Sequence, residues 1–486
     1  MQGRDRVIQS DDSNLEQFGY KPQFHRVLGF FADFSIGYSY MSPLAGFYAL
    51  FSYALATAGP AFFWTMPLVL LGHTVNALIF AEISSEYPIA GGVYQWSRRL
   101  VGERWGFLTG WMYFLALVGV AAGLAAGVAP YLAALIGIEA TNTFDTCVAL
   151  SIIILSAALN LIGTKVLGRM TELGVWAGLV GLAACGGYML CFARLQPFSV
   201  LFESFGAGEG HHTGAMLAAS LLGIWIFFGH EACGDLAEEV HDASREVPRA
   251  MLTTMLAGGG SALLIALGMI LAVPDMAGAV SGAVSNPADA ALRAAIGPIG
   301  ATAMLGCLML VAFSATISVI ASTSRLLFSM GRDRVIPFSV AMSRVNPRTG
   351  LPTAAVLAAT VLPCMVLLVG GFAPHIAEAV INFATAGIYT TFTMVLIAGA
   401  FARFGGWVPS GPFRLGGFGW PLTVIALCFE VGALINLVWP RPASPDQSLV
   451  SVMLIPVVLL SVFCIGVVLA VRRPASLIWS SEGNWK

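Results

Sequence analysis

Charge is what this chain lacks. Only 10% of its 486 residues are Asp, Glu, Lys or Arg, whereas soluble domains run near a quarter. That shortage excludes an ordinary water-soluble composition. The near-neutral net charge of -2 says nothing about partners, and with no basic patch nucleic acid is not expected as one. The eight cysteines are scattered singly, mostly inside apolar runs (Cys185, Cys307, Cys364, Cys464), and form neither a metal pattern nor a disulfide framework. There is no linker or low-complexity tract. The first 26 residues are polar and include Asp11, Asp12 and Glu16, unlike a signal peptide.

What the chain has in abundance is apolar sequence, 57% of all residues. Windows of at least the roughly 20 residues that span a bilayer lie near 27–53, 57–81, 105–136, 145–164, 170–192, 214–240, 249–273, 299–329, 352–370, 376–402, 420–439 and 449–471. Lipid admits only helices or closed barrels, and these runs are too long and too uniformly apolar for barrel strands. The pattern predicts an all-α polytopic membrane protein. Twelve transmembrane helices would form one domain over 27–471, between tails at 1–26 and 472–486. With the N-terminus inside, 21 of the 24 Lys and Arg fall on the inner side, leaving only Arg194, Arg293 and Arg441 outside. Both termini are therefore predicted to be cytoplasmic, with the lipid bilayer of the cell membrane as the surroundings.

Two windows are interrupted. The first contains "FSIGYSYMSP" (34–43) and the sixth "FFGHEACG" (227–234), each combining glycine with polar residues. Glycine and proline weaken a helix, and paired breaks at corresponding positions mark the binding sites of transporters built from repeats. Helices one and six open two five-helix halves, which predicts a 5+5 inverted repeat over about 27–192 and 214–402, with extra helices at 420–471. The stretch "HEACGD" fails as a zinc-protease motif, because Gly234 occupies the position of the second histidine. Neither an enzyme nor a metal or cofactor is predicted.

Three segments carry a family likeness: "AEISSEYPIAGGVYQWSRRL" (81–100), "LAEEVHDASREVPRAM" (236–251) and "STSRLLFSMGRDRVIPFSVAMSRVNPRTGLP" (322–352). Together they resemble the amino acid–polyamine–organocation superfamily of permeases over about 25–470, nearest the branch of amino acid, choline and GABA permeases. The resemblance implies a LeuT-type fold and a secondary transporter working by alternating access. Its substrate would lie between broken helices one and six, walled by helices three, eight and ten.

In the first break, backbone N–H groups near Ser35, Ile36, Gly37, Tyr38 and Ser39 are candidates to bind a substrate carboxylate. Only Gly37 is glycine there, which departs from the glycine-rich break of amino acid permeases and keeps amines open. In the second, carbonyls at Phe227, Phe228 and Gly229 are candidates for a substrate ammonium. His230 is a candidate for selectivity, and Glu231 for capping, charge balance or proton carriage. Asn382 and Thr385, with Tyr389 on the same face, offer contacts from helix ten. Ser314 and Ser318, four apart in helix eight, are candidate sodium ligands. Proton-coupled relatives place a lysine in helix five, and the matching position here is Gly178. The coupling ion is thus H+ or Na+. The expected partner is a small-molecule substrate, an amino acid or amino acid-like compound. The alternatives are a choline, polyamine or other amine permease, and a transporter-like membrane sensor. Protein partners are not indicated.

Overall fold

Inside lipid every backbone polar group needs a partner within the protein, and the described residues meet that demand mainly with helices. The computed structural model describes residues 11–13, 15–139, 141–372, 374–441 and 453–472, without the side chains of 374–379 and 382. Residues 1–10 and 473–486 of the two predicted tails, and 449–452 of the last apolar window, lie outside the described residues. Among the described residues there is no strand, only the isolated bridges Leu28–Val240 and Asn346–Leu351.

The helices are α1 (Phe30–Met41), α2 (Pro43–Ala58), α3 (Thr65–Glu86), α4 (Gly92–Val101), α5 (Glu103–Ile136), α6 (Asn142–Ile162), α7 (Thr164–Phe192), α8 (His212–Ala219) and α9 (Leu221–Ile226). They continue with α10 (Ala232–Asp235), α11 (Ala243–Ala272), α12 (Pro287–Arg332), α13 (Thr353–Phe372), α14 (Pro374–Phe404), α15 (Gly419–Val438) and α16 (Leu454–Val471). Short helices Met276–Ser281 and Ser339–Met342 sit in the connections. Each predicted apolar window contains helix among its described residues. Ten helical segments of the described chain are long and apolar enough to cross a membrane. The windows at 27–53 and 214–240 are instead split, as α1/α2 and as α8–α9/α10.

Burial sorts the long helices into two sets. The apolar windows of α3, α5, α11, α12 and α14 are 61–89% buried, while those of α6, α7, α13, α15 and α16 are 11–33% buried. The outer set turns residues such as Leu173, Leu357, Val424 and Val457 outward, an apolar surface suited to acyl chains. Within the bundle α11 packs on α1, α3 and α7, α12 on α5 and α7, and α14 on α5 and α15. The two broken segments are held inside this frame.

The three family-like segments meet on the face predicted to be cytoplasmic. Arg325 donates to Glu239 at 2.7 Å and Arg332 to Glu238 at 2.9 Å, both buried pairs. Arg98 lies 3.6 Å from Asp333, whose other oxygen accepts the Tyr20 hydroxyl at 2.7 Å. Glu82 pairs with Arg403. Glu86 accepts the backbone N–H groups of Ser410 and Gly411, each at 2.6 Å, and so anchors a loop. Arg99 likewise donates to the Phe18 carbonyl and lies over the Phe18 and Tyr20 rings.

Candidate functional site

The first break falls at Ser42, four residues beyond Tyr38. Ser42 adopts a left-handed conformation (φ 45, ψ 58) between α1 and α2. A residue before proline is disfavoured in the right-handed helical region, and Pro43, with no N–H to lose, suits the first position of the next helix. The first bond of α2 runs from the Gly46 N–H to the Ser42 carbonyl at 3.1 Å. The N–H groups of Leu44 and Ala45 therefore have no acceptor within their helix. The corresponding expectation for Ser35, Ile36, Gly37, Tyr38 and Ser39 is corrected: these residues lie inside the unbroken α1, whose own ladder takes up their N–H groups.

Gly37 serves packing instead. A Cβ there would lie 2.6 Å from the Cys233 Sγ and 2.9 Å from the Thr254 Oγ1, so its missing side chain lets α1 approach α10 and α11. Ser35 bonds back to the Phe31 carbonyl, Ile36 is buried, and the Tyr38 hydroxyl lies 3.4 Å from that of Ser261. Ser314 donates to Ser39 at 2.8 Å, and Ser39 donates to the Thr171 carbonyl. Ser318 is buried beside them in α12 with no hydrogen-bond partner for its hydroxyl.

The second break covers residues 227–231, where it was expected. The last bond of α9 runs from the Phe227 N–H to the Gly223 carbonyl, and Gly229 takes φ 122, a conformation reserved for glycine. Glu231 closes the turn by accepting the Gly229 N–H at 2.8 Å through Oε2, while its buried Oε1 has no partner. The Gly229 carbonyl accepts the Ala232 N–H at 3.2 Å, which takes up one of its two lone pairs. Among the described residues no turn or loop N–H is bonded to the Phe227 or Phe228 carbonyl.

The two breaks touch. A Cβ on Gly229 would lie 2.6 Å from the Met41 nitrogen and 3.1 Å from the Tyr40 carbonyl carbon. Beside this contact is a residual void of ≈ 10 Å³, room for about one water. Tyr40, Met41, Ser42 and Gly46 line it from the first break, Trp225 and Phe228 from the second, and Val120 and Leu124 from α5. The Phe228 ring stands edge-on to Tyr40 at 6.0 Å and to Trp225 at 5.6 Å. Of the residues predicted from sequence, only Phe228 reaches the void. Phe227 is buried in the core, and so is Thr385 in α14. The side chain of Asn382 lies outside the described residues.

A second polar group, missed in the sequence, lies behind the second break. His73 and Asn76 of α3 are three apart on one face. The His73 Nε2 bonds the Tyr389 hydroxyl, which reaches the Ile224 carbonyl at 3.0 Å, and the Asn76 amide donates to Glu430 of α15. The ring of His230 faces that of His73 at 6.3 Å, and neither His230 nitrogen has a hydrogen-bond partner. The signal was a lone polar residue inside otherwise apolar windows. Deeper still, Tyr113 donates to Asp235 at 2.9 Å, and both carboxylate oxygens of buried Asp33 lack partners. Among the described residues no cluster of His, Cys, Asp or Glu has the form of a metal site.

A pair of touching helix breaks inside an apolar bundle is a binding-site architecture, and comparison with known proteins identifies whose. The family model described as amino acid permease matches residues 28–467. The chain belongs to the amino acid permease family. It is 26% identical to amino-acid permease BAT1 of Arabidopsis thaliana, over 87% of both chains. It is 24% identical to amino-acid permease 2 of Neurospora crassa, over 90% of this chain and 84% of the relative. A Macrophomina phaseolina protein named as an amino acid/polyamine transporter is 24% identical over 80% of this chain and 89% of its own. This permease is accordingly a multi-pass membrane protein that transports amino acids or related small molecules.

Proposed function

We propose that this permease is a secondary transporter that moves an amino acid or amino acid-like substrate by alternating access, held where the two breaks meet. The contact of Gly229 with Met41 carries the reading. The void at that contact is far smaller than any amino acid, so α1/α2 and α9/α10 must part for substrate to enter. The unpaired N–H groups of Leu44 and Ala45, at the N-terminus of α2, supply donors for a carboxylate. The carbonyls of Phe227 and Phe228 supply acceptors for an ammonium. Helices one to five and six to ten are read as inverted repeats, and both termini as cytoplasmic in the plasma membrane, on the distribution of Lys and Arg.

The aromatic lining favours one second reading. Tyr40, Trp225 and Phe228 present three ring systems around the void, which suits a choline-like or polyamine cation through cation–π attraction. Counterflow in proteoliposomes separates the two, because it needs no knowledge of the coupling ion. A labelled amino acid is exchanged against amino acids, GABA, choline and polyamines. Competition confined to compounds with a free carboxylate supports the first reading. Competition by carboxylate-free amines alone transfers the site to amines, and no exchange with any compound rejects both.

A further inference from the structure

We propose that Glu430 and His73 form a proton-binding site, separate from the substrate void, that couples transport to the proton gradient. The inference deepens the transport reading and rests on it. Glu430 is fully buried in α15, a helix that otherwise turns mostly outward. Its Oε1 accepts the Asn76 amide, its Oε2 has no partner, and among the described residues it pairs with no Lys or Arg. An uncompensated carboxylate in such a setting is costly, and intramembrane acids of this kind mark proton pathways.

Charged and titratable groups around the site are few. From α3 come His73 and Asn76, from α14 Tyr389, and from the second break His230 and Glu231. The remaining walls are the rings of Phe80, Phe392 and Phe429. Among the described residues of α3 and α14 the only ion pair is Glu82–Arg403 at their shared end, and α15 carries Asn436 bonded to Arg441 at the other. The charged residues of α11 (Arg245, Glu246, Arg249) sit in its first two turns. The row thus runs from Glu430 and Asn76, across one helical turn to His73 and Tyr389, and on to His230 and Glu231, whose nearest nitrogen–oxygen distance is 4.0 Å.

Hydrogen counting ties this row to the break. The Ile224 carbonyl would accept the Phe228 N–H in a continuous helix, but α9 ends at Ile226 and Tyr389 caps that carbonyl instead. Tyr389 has one hydrogen, so when it caps Ile224 the His73 Nε2 must carry a proton and donate. The His73 Nδ1 is then a lone pair with no donor near it. If the His73 proton sits on Nδ1 alone, Nε2 takes the tyrosine hydrogen and the end of α9 is uncapped. A proton arriving from Glu430 makes the imidazole a donor at both nitrogens and locks the cap. Proton occupancy therefore biases the segment that must move for substrate to pass.

The test uses the purified full-length permease in proteoliposomes, with radiolabelled alanine, GABA and choline assayed in parallel. An inward gradient of one pH unit drives about tenfold accumulation at one proton per substrate. The wild type should show this, together with substrate-dependent acidification reported by a trapped pH dye. Glu430→Gln keeps the acceptor for Asn76, and it should retain counterflow while losing both gradient-driven accumulation and proton uptake. His73→Gln should do the same. Normal gradient-driven uptake by Glu430→Gln, or its loss in Asp33→Asn but not in Glu430→Gln, overturns the proposal. So does wild-type uptake driven by sodium and indifferent to pH, which would shift coupling to Ser314 and Ser318. Absence of wild-type counterflow with every compound is a different failure, because it rejects the transport reading itself.

Discussion

Gly229 faces the Met41 peptide so closely that a methyl group on it would lie 2.6 Å from the Met41 nitrogen. Two interruptions far apart in sequence are thus in van der Waals contact through the one residue type that permits it. Gly229→Ala adds that methyl group and also strains a backbone at φ 122. A conformational penalty of about 1–3 kcal/mol is expected, and counterflow should fall by tenfold or more while membrane insertion is retained. Initial exchange rates, normalised to permease recovered in the membrane, check this.

Gly37 makes a different prediction. Gly37→Val should abolish uptake by forcing α1 away from Cys233 and Thr254, an overpacking cost of about 1–3 kcal/mol. Because the obstacle is side chain, Gly37→Ala combined with Cys233→Ala should recover much of the activity that Gly37→Ala loses. A ligand-binding role for Gly37 would give no such rescue, and uptake by the three variants distinguishes the cases.

Glu231 caps the second break through one oxygen and leaves the other unpaired. Glu231→Gln preserves an acceptor for the Gly229 N–H, whereas Glu231→Ala strands that donor at about 1–3 kcal/mol. Thermal melting in detergent should separate them, with alanine lower than glutamine. If the cap is its only role, the glutamine variant should also exchange substrate at a near wild-type rate.

The buried Arg325–Glu239 pair joins two of the family-like segments. Arg325→Met leaves Glu239 buried and unpaired, at a cost of about 3–5 kcal/mol. Arg325→Met with Glu239→Leu removes both charges and should melt well above the single variant. The same melting assay reads both.

The helices were legible in the sequence because lipid forces long apolar windows, and the second break because Gly229, His230 and Glu231 coincide in one. The first break was legible but displaced. Gly37 drew attention as the only glycine in the stretch, whereas the chain breaks at Ser42, where Pro43 acts on its predecessor. Glycine was needed at position 37 for a neighbouring helix, which sequence spacing cannot reveal. His73, Asn76 and Glu430 were not singled out, although each is a polar residue in an apolar run. That they meet depends on α3, α14 and α15 packing together, a tertiary fact with no local signature.

The claim that substrate sits between the breaks is tested most directly by substrate protection at Phe228, the one sequence-predicted residue that lines the void. A single cysteine is placed there by Phe228→Cys, in a background whose eight cysteines are replaced by alanine and which retains counterflow. Its modification by a small thiol reagent is timed with and without the compound that exchanges best. The account predicts that saturating compound slows labelling in proportion to its occupancy, while a non-competing compound does not. Labelling at the same rate with and without a compound that the same vesicles exchange would contradict it.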